Sequence, residues 1–192
     1  LSKLTMINFS LVVRYELWNM GLPKLNWEEY IREWLKCSNR RANEVLLNDS
    51  EVISEEELGR VSLALGKSKE DLLLLDPLHD LNARMLILNL NYLIASNVGH
   101  GGKQIVAKRL GVEPGTVSRW LSGTRTPSRE DLTEIAKCFS VDLTLDLTVT
   151  PLFLSYHYFG YLEMQQWLKQ KSDTINRELL VSLFPALRRL LE

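Results

Sequence analysis

Basic side chains are concentrated in one short stretch of the chain, between residues 100 and 129. Six Lys and Arg residues there face a single acid, Glu113, although the whole chain carries 23 Lys and Arg against 24 Asp and Glu. These six residues are Lys103, Lys108, Arg109, Arg119, Arg125 and Arg129. Clustered ammonium and guanidinium groups attract phosphate. The stretch therefore predicts a phosphate-facing surface, and charge alone leaves open a basic face that meets only water.

The residues that most often carry metal or covalent chemistry are few and scattered. Cys37 and Cys138 lie about a hundred residues apart, which predicts two reduced core thiols in a cytoplasmic protein, with a disulfide as the alternative. Neither has a histidine at metal-ligand spacing, so a zinc site is not expected. The segment Gly99-His100-Gly101-Gly102 is rich in glycine but lacks the Lys-Ser/Thr pair of a phosphate-binding loop. Apolar runs stay short of the roughly 18 residues that span a bilayer. The sequence therefore predicts no metal, no cofactor and no catalytic site.

Helical periodicity covers most of the chain, and helix-start signals divide it. Asn26 is followed by acids in a first turn, and Ser54 is followed by three glutamates in the pattern of a capping box. Pro77 marks a linker at about 76–83. The next helix is expected to follow that linker and to end near residue 95.

Residues 141–149 follow a different pattern. Val and Leu alternate there with Asp and Thr, and Pro151 ends the run. A strict period of two that is rich in Val and Thr predicts a β-strand. The predicted fold class is therefore mainly α, with one short β-strand near 141–149 and C-terminal helices.

An internal repeat appears when the sequence is compared with itself at an offset of 74 residues. Residues 54–58 then align with residues 128–132, and Ile31 aligns with Ile105. Two degenerate copies of one helical domain explain this agreement, and chance similarity between amphipathic helices is the alternative. We predict an N-terminal domain over 1–80, a second domain over 81–150 and a C-terminal tail over 151–192.

The segment from Lys103 to Pro127 has the pattern of two short helices joined by a sharp turn. A first helix places Val106, Ala107 and Leu110 on one apolar face, and Gly111 supplies the turn because glycine takes positive φ at little cost. A second helix begins near Pro114, which suits a first helical turn. It is expected to bury Val117, Trp120 and Leu121 and to end at Gly123.

This segment resembles the Cro and lambda-repressor family of helix-turn-helix domains, and the resemblance covers residues 84–144. It rests on a set of residues in fixed order: Ala107, Gly111, Val112, Val117, Gly123, Pro127-Ser128, Leu132 and Ile135-Ala136. One position departs from the family pattern, because Lys103 stands where the family often has Gln and Gln104 follows one place later. The resemblance implies a domain that binds double-stranded DNA.

The resemblance also implies a role for each exposed position. The helix over 103–110 would cross the DNA backbone, and the helix over 114–122 would enter the major groove. The residues expected to face base edges are Pro114, Gly115, Thr116 and Arg119. The residues expected to hold phosphates are Lys103, Gln104, Ser122, Thr124 and Arg125. Arg119 is the strongest candidate for sequence recognition, since a guanidinium can pair with both acceptors of guanine.

The first repeat lacks these features. Cys37 aligns with the turn glycine and Asp49 aligns with Gly123. Its outward residues include Arg40 and Arg41, but they lie among acids that repel phosphate. We therefore expect residues 1–80 to serve packing or protein contacts rather than DNA binding.

The tail begins with aromatic residues and continues as two amphipathic helices, near 160–171 and 173–191. Leucines of the second helix form an apolar stripe at helical spacing. The tail either packs on the protein's own core or forms a partner surface. Because helix-turn-helix proteins often pair on two half-sites, we expect a homodimer through the tail, the strand at 141–149, or both. A monomer whose repeats imitate a dimer is the alternative.

Together these features predict a cytoplasmic, nucleoid-associated transcriptional regulator, a repressor, that acts without a cofactor. The alternative is an interaction subunit, such as an antitoxin or an accessory protein of a defence system or mobile element. In that role the helix-turn-helix would guide a larger complex to DNA. An enzyme is the weakest interpretation.

Overall fold

The computed structural model describes residues 3–5, 9–47 and 52–171, and in this part the chain is mainly helical, as predicted. The helices are α1 Phe9–Asn19, α2 Trp27–Leu35, α3 Asn39–Leu47, α4 Glu55–Leu65, α5 Lys69–Leu74, α6 Pro77–Leu81, α7 Met85–Asn97, α8 Gly102–Leu110, α9 Pro114–Ser122, α10 Arg129–Cys138 and α11 Tyr161–Lys171. Single 3₁₀ turns cover Lys24–Asn26, Asn82–Arg84 and Leu152–Leu154. Strands β1 (Lys3–Thr5) and β2 (Val52–Ser54) pair antiparallel, with Leu4 opposite Ile53.

Two serines begin corresponding helices in the two halves of the chain. The Ser54 hydroxyl accepts a hydrogen bond from the Glu57 backbone N–H at 3.1 Å, and the Ser54 N–H donates to the Glu57 carboxylate at 3.0 Å. Ser128 and Asp131 make the same pair of bonds, at 3.1 and 2.9 Å. Each pair satisfies backbone donors that a helix start leaves free. The predicted cap at Ser54 is confirmed, whereas Asn26 precedes α2 without a side-chain capping bond.

The predicted β-strand at 141–149 is wrong, because the segment forms consecutive turns. The Asp142 carboxylate accepts hydrogen bonds from the backbone and the side chain of Thr144, both at 2.8 Å. Asp146 accepts the same two bonds from Thr148. Such local bonds compete with the ladder of a sheet. The alternation of Asp with Thr that imitated a strand therefore stabilises turns.

Each half of the chain folds around its own core. The first core includes Trp27, Ile31 and Leu46, and the second includes Val106, Val117 and Ile135. The same helices pack together in both halves: α1 with α3 and α7 with α9, α2 with α3 and α8 with α9, α2 with α4 and α8 with α10. The two halves therefore share one arrangement of helices.

In the structure, helices α2 and α8 align at an offset of 75 residues, one more than the offset of 74 found by comparing the sequence with itself. Helix α2 begins at Trp27 and α8 at Gly102, 75 residues later, whereas the capping serines, Ser54 and Ser128, are 74 apart. Lys36, not Cys37, therefore takes the turn position of Gly111; their φ angles are 50° and 65°. Cys37 instead fills the corner, partly buried as Val112 is in the second half.

A third core joins the two halves, and the start of the tail lies inside it. The turn Leu152–Leu154 packs against both α1 and α7, and Phe153 and Leu154 are buried there. The Phe153 ring meets the Trp18 ring edge to face, with centroids 4.9 Å apart. The aromatic start of the tail therefore packs inside the protein, between the two halves. The predicted second tail helix at 173–191 lies outside the described residues.

A buried lysine adds polar contacts to this joint. The Lys24 ammonium donates to the Tyr92 hydroxyl at 2.8 Å and to the Ser155 carbonyl at 2.7 Å, and it lies 3.9 Å from the centre of the Tyr92 ring. Tyr92 in turn donates to the Glu163 carboxylate at 2.7 Å. The chain from Lys24 through Tyr92 to Glu163 therefore ties the N-terminal half to α7 and α11.

Burial gives Lys24 a measurable pH signature. Desolvation lowers the pKa of Lys24 from 10.5 to about 7, against the opposing charge of Glu163. Unfolding restores the ordinary pKa, so the unfolded chain binds more protons than the folded one above pH 7. The free energy of unfolding should then rise with pH, by about 2 kcal/mol between pH 7 and 9. Lys24→Met should remove this rise in denaturant titrations at the two pH values. If the free energy of unfolding rose equally with pH in the variant and in the unaltered protein, Lys24 would not be the group that titrates.

Candidate nucleic-acid interface

Helix α9 presents one apolar side to the core and one polar side to solvent. It begins at Pro114 and buries Val117 and Trp120. It ends at Gly123, whose φ is 74° and where a Cβ would lie 2.5 Å from Ile87 Cδ1. Glycine meets both demands, since it takes positive φ and has no Cβ. The helix is therefore short, has defined ends at Pro114 and Gly123, and is exposed to solvent along its outer face.

The residues predicted to face base edges share this outer face. Pro114, Gly115 and Arg119 are exposed, and Thr116 is half-buried. A Cβ built on Gly115 would meet no atom within 4 Å, so the start of the helix is free of obstruction. The Arg119 guanidinium donates to the Thr116 hydroxyl at 3.2 Å. This bond holds the guanidinium along the helix toward its N-terminal end.

The residues predicted to hold phosphates fall into two groups. Lys103, Gln104 and Arg125 are exposed at the start of α8 and just after α9. The Ser122 and Thr124 hydroxyls instead donate to the Arg119 carbonyl, at 3.1 and 3.3 Å. The Arg125 backbone N–H donates to the same carbonyl at 3.2 Å, so these bonds together satisfy an acceptor at the end of the helix. In the protein without DNA, the Ser122 and Thr124 hydroxyls therefore stabilise the C-terminal end of α9.

The structure separates the basic residues of the sequence cluster. Arg109 turns toward α10, where its guanidinium lies 3.8 Å from the Cys138 sulfur. Arg129 lines a groove beside Asp146. Lys103, Lys108, Arg119 and Arg125 are exposed, and none of them has a carboxylate within 4.0 Å in the part of the chain that the structure describes. The basic surface available to an anion is therefore smaller than the sequence cluster.

The matching face of α3 is neutralised by ion pairs. At the 75-residue offset, Glu44 takes the position of Arg119. Its carboxylate lies 3.0 Å from the Arg40 guanidinium and 3.6 Å from that of Arg41. Arg41 also pairs with Glu57, through bonds of 2.9 and 3.2 Å. The two halves thus share an arrangement of helices, but the charges on α3 are paired whereas Arg119 on α9 has no carboxylate within 4.0 Å among the described residues.

The described residues offer neither a metal cluster nor a membrane-spanning helix. No group of three His, Cys, Asp or Glu side chains is placed to hold a metal ion there. No helix in the same ranges is long and apolar enough to span a membrane.

Comparison with protein families agrees with this geometry. The family model of helix-turn-helix domains matches residues 101–145, which contain α8, α9 and α10. Residues 101–145 are a Cro/C1-type helix-turn-helix domain. The family is one of DNA-binding domains. No curated protein and no solved structure matches the chain.

Sequence reasoning missed two features around the helix-turn-helix domain. It did not find the tie from Lys24 to Tyr92, because those residues are 68 positions apart and share no motif. It placed Arg109 on the phosphate-facing surface although the side chain turns toward Cys138. Neither feature has a local signal in the sequence, because each depends on which distant element packs beside the residue.

Proposed function

We propose that this protein is a sequence-specific double-stranded DNA-binding transcriptional regulator, a repressor, that reads the major groove with α9. The observation that carries the proposal is the exposed polar face of α9, on which Arg119 has no carboxylate partner among the described residues. Apart from the bond to Thr116, the guanidinium keeps its donors for guanine O6 and N7. Pro114, Gly115 and Thr116 would contact neighbouring base edges.

Phosphate contacts would come from the residues around α9. Lys103 and Gln104 at the start of α8 and Arg125 after α9 would hold the backbone and set the register. Ser122 and Thr124 would join them by turning their hydroxyls from the Arg119 carbonyl to phosphate oxygens. The proposal requires no cofactor and no catalytic step, and it places the protein on the nucleoid in the cytoplasm.

Selection of bound fragments from a random DNA pool at physiological salt tests this function. A recurring motif is expected, with guanine at the position that Arg119 reads. A symmetric motif would support two domains acting together, and a single asymmetric motif would support one. Recovery of unrelated fragments at equal frequency would refute sequence-specific binding.

The salt dependence of binding provides a second prediction. Lys103→Ala should weaken binding to all sequences alike and should reduce the slope of log K against log salt by about 1, because one fewer counterion is released. Binding titrations over a series of salt concentrations measure this slope. Lys69→Ala is the matched control, since Lys69 lies in the N-terminal half and pairs with Glu55 at 3.1 Å. An unchanged slope for Lys103→Ala would remove Lys103 from the interface.

We also propose that residues 1–80 are a degenerate copy of the second domain, residues 81–150. The shared helix packing and the paired serine caps support a common arrangement, and the ion pairs of Glu44 account for lost DNA binding. In this organisation the N-terminal copy serves protein contacts. A homodimer would use the tail, including α11, where Leu168 is exposed outside the cleft described below. A contribution from a strand at 141–149 is excluded, because that segment forms turns.

A second function, an interaction subunit of a larger complex, is favoured by one observation. Leu63 and Leu74 in the N-terminal half are 85% and 83% exposed, so both side chains are accessible to a partner protein. Such a subunit, for example an antitoxin or an accessory protein of a defence system or mobile element, would use α9 to guide its partner to DNA. Purification from the native host discriminates: a stoichiometric partner supports this function, and a homodimer alone argues against it.

A further inference from the structure

An open cleft separates the helix-turn-helix domain from the start of α11. Its volume is about 500 Å³, which is within the range of small-molecule sites. The lining residues come from the ends of α7 and α8, from the end of α10 and the residues after it, and from α11 with the segment that leads into it. Those used below are Arg109, Ser140, Phe159, Tyr161 and Met164. No residue of α9 lines the cleft, so it is distinct from the proposed DNA-binding face.

Among the described residues, the lining of the cleft carries one positive charge and no negative charge. That charge belongs to Arg109. The guanidinium is exposed, and its closest contact described is the weak one with the Cys138 sulfur, at 3.8 Å. Most of its five N–H donors are therefore available to a ligand. A carboxylate is the group that best matches a guanidinium, because the two can form parallel charge-assisted hydrogen bonds.

The remaining polar groups of the wall already have partners. The Tyr158 hydroxyl donates to the Phe139 carbonyl at 2.9 Å, and the Asn97 amide oxygen accepts from the Tyr161 N–H at 2.8 Å. The Tyr161 hydroxyl accepts from Gln165 at 2.6 Å. Among the described residues of the wall, Arg109 and the exposed Ser140 therefore keep side-chain donors for a ligand.

The other walls are apolar and partly aromatic. Tyr161 and Met164 are 54% and 45% exposed at the cleft, and Phe159 is half-buried beside them. Aromatic rings and a methionine thioether pack favourably against a flat apolar group. A ring that entered the cleft would cover the exposed parts of Tyr161 and Met164.

We propose that this cleft binds a small aromatic carboxylate, with its ring against Tyr161 and Met164 and its carboxylate on the Arg109 guanidinium. Such a ligand would bridge the helix-turn-helix domain and α11. The proposal goes beyond the proposed function and does not depend on DNA binding, because the site and its test involve no DNA.

Amide NMR spectra of the full chain, titrated with phenylacetate, test the site. Chemical-shift changes are expected at the backbone amides of Ser140, Tyr161 and Met164. Phenylacetamide, which has the same ring without the charge, should bind about tenfold more weakly, since hydrogen bonds to charged groups are the stronger ones. Equal affinity of the two compounds would overturn the carboxylate assignment.

Matched variants test whether Arg109 is the charged residue that binds the carboxylate of the ligand. Arg109→Gln should weaken phenylacetate binding about tenfold, whereas Lys108→Gln, an exposed neighbour on the same helix that does not line the cleft, should leave it unchanged. Met164→Glu should also weaken binding, because it places a carboxylate in the wall. Both side chains at 109 and 164 are exposed, so the variants should fold. The site would be refuted if the chemical-shift changes were scattered over the protein. It would also be refuted if Lys108→Gln and Arg109→Gln lost affinity for phenylacetate equally.

Discussion

Arg119→Ala should lower the affinity for the selected DNA site about 10- to 100-fold and should leave affinity for unrelated DNA nearly unchanged. The size follows from the roughly 1–3 kcal/mol that one bidentate arginine–guanine contact contributes to discrimination. The side chain is exposed on α9 and is oriented by its bond to Thr116. Competition binding against the selected site and a scrambled site measures both affinities.

Two further variants make this result specific. Arg119→Lys keeps the charge but loses the planar pair of donors, so it should lose most of the discrimination and keep the salt dependence. Arg40→Ala removes an arginine from the exposed surface of α3, where Arg40 pairs with Glu44, and should leave DNA binding unchanged. If Arg119→Ala binds the selected site as the unaltered protein does, α9 is not the helix that reads sequence.

Phe153→Ala should lower the free energy of unfolding by about 3–5 kcal/mol, the usual cost of removing a fully buried phenylalanine side chain. Phe153 is 2% exposed and packs with Trp18 in the core between the halves. A cavity there should also weaken the coupling between the halves, so two unfolding transitions are expected in place of one. Denaturant and thermal unfolding, followed by circular dichroism, would show both effects.

Leu143→Ala is the matched control for this prediction. Leu143 lies close in sequence but is 59% exposed, so its truncation should change stability by no more than about 0.5 kcal/mol. If Phe153→Ala and Leu143→Ala unfolded at the same denaturant concentration, the turn at Leu152–Leu154 would not be a joint between the halves.

The sequence by itself determined the helix-turn-helix domain, because its signals are local. A turn glycine at Gly111, a closing glycine at Gly123 and a capping serine at Ser128 each act on the backbone within a few residues. The apolar spacing within α9 then fixed which side of the helix faces outward. The outward positions of Pro114, Gly115 and Arg119 could therefore be predicted without coordinates.

Only the tertiary structure decided which long-range partner each segment has. The period of two at 141–149 predicted a strand, but a strand needs a neighbour to pair with, and here hydrogen bonds from Thr144 and Thr148 to nearby aspartates prevail. The direction of Arg109, the burial of Lys24 and the position of Phe153 likewise depend on residues far away in the chain. Packing between distant segments leaves no periodic signal in the sequence, so these features emerged only from the fold.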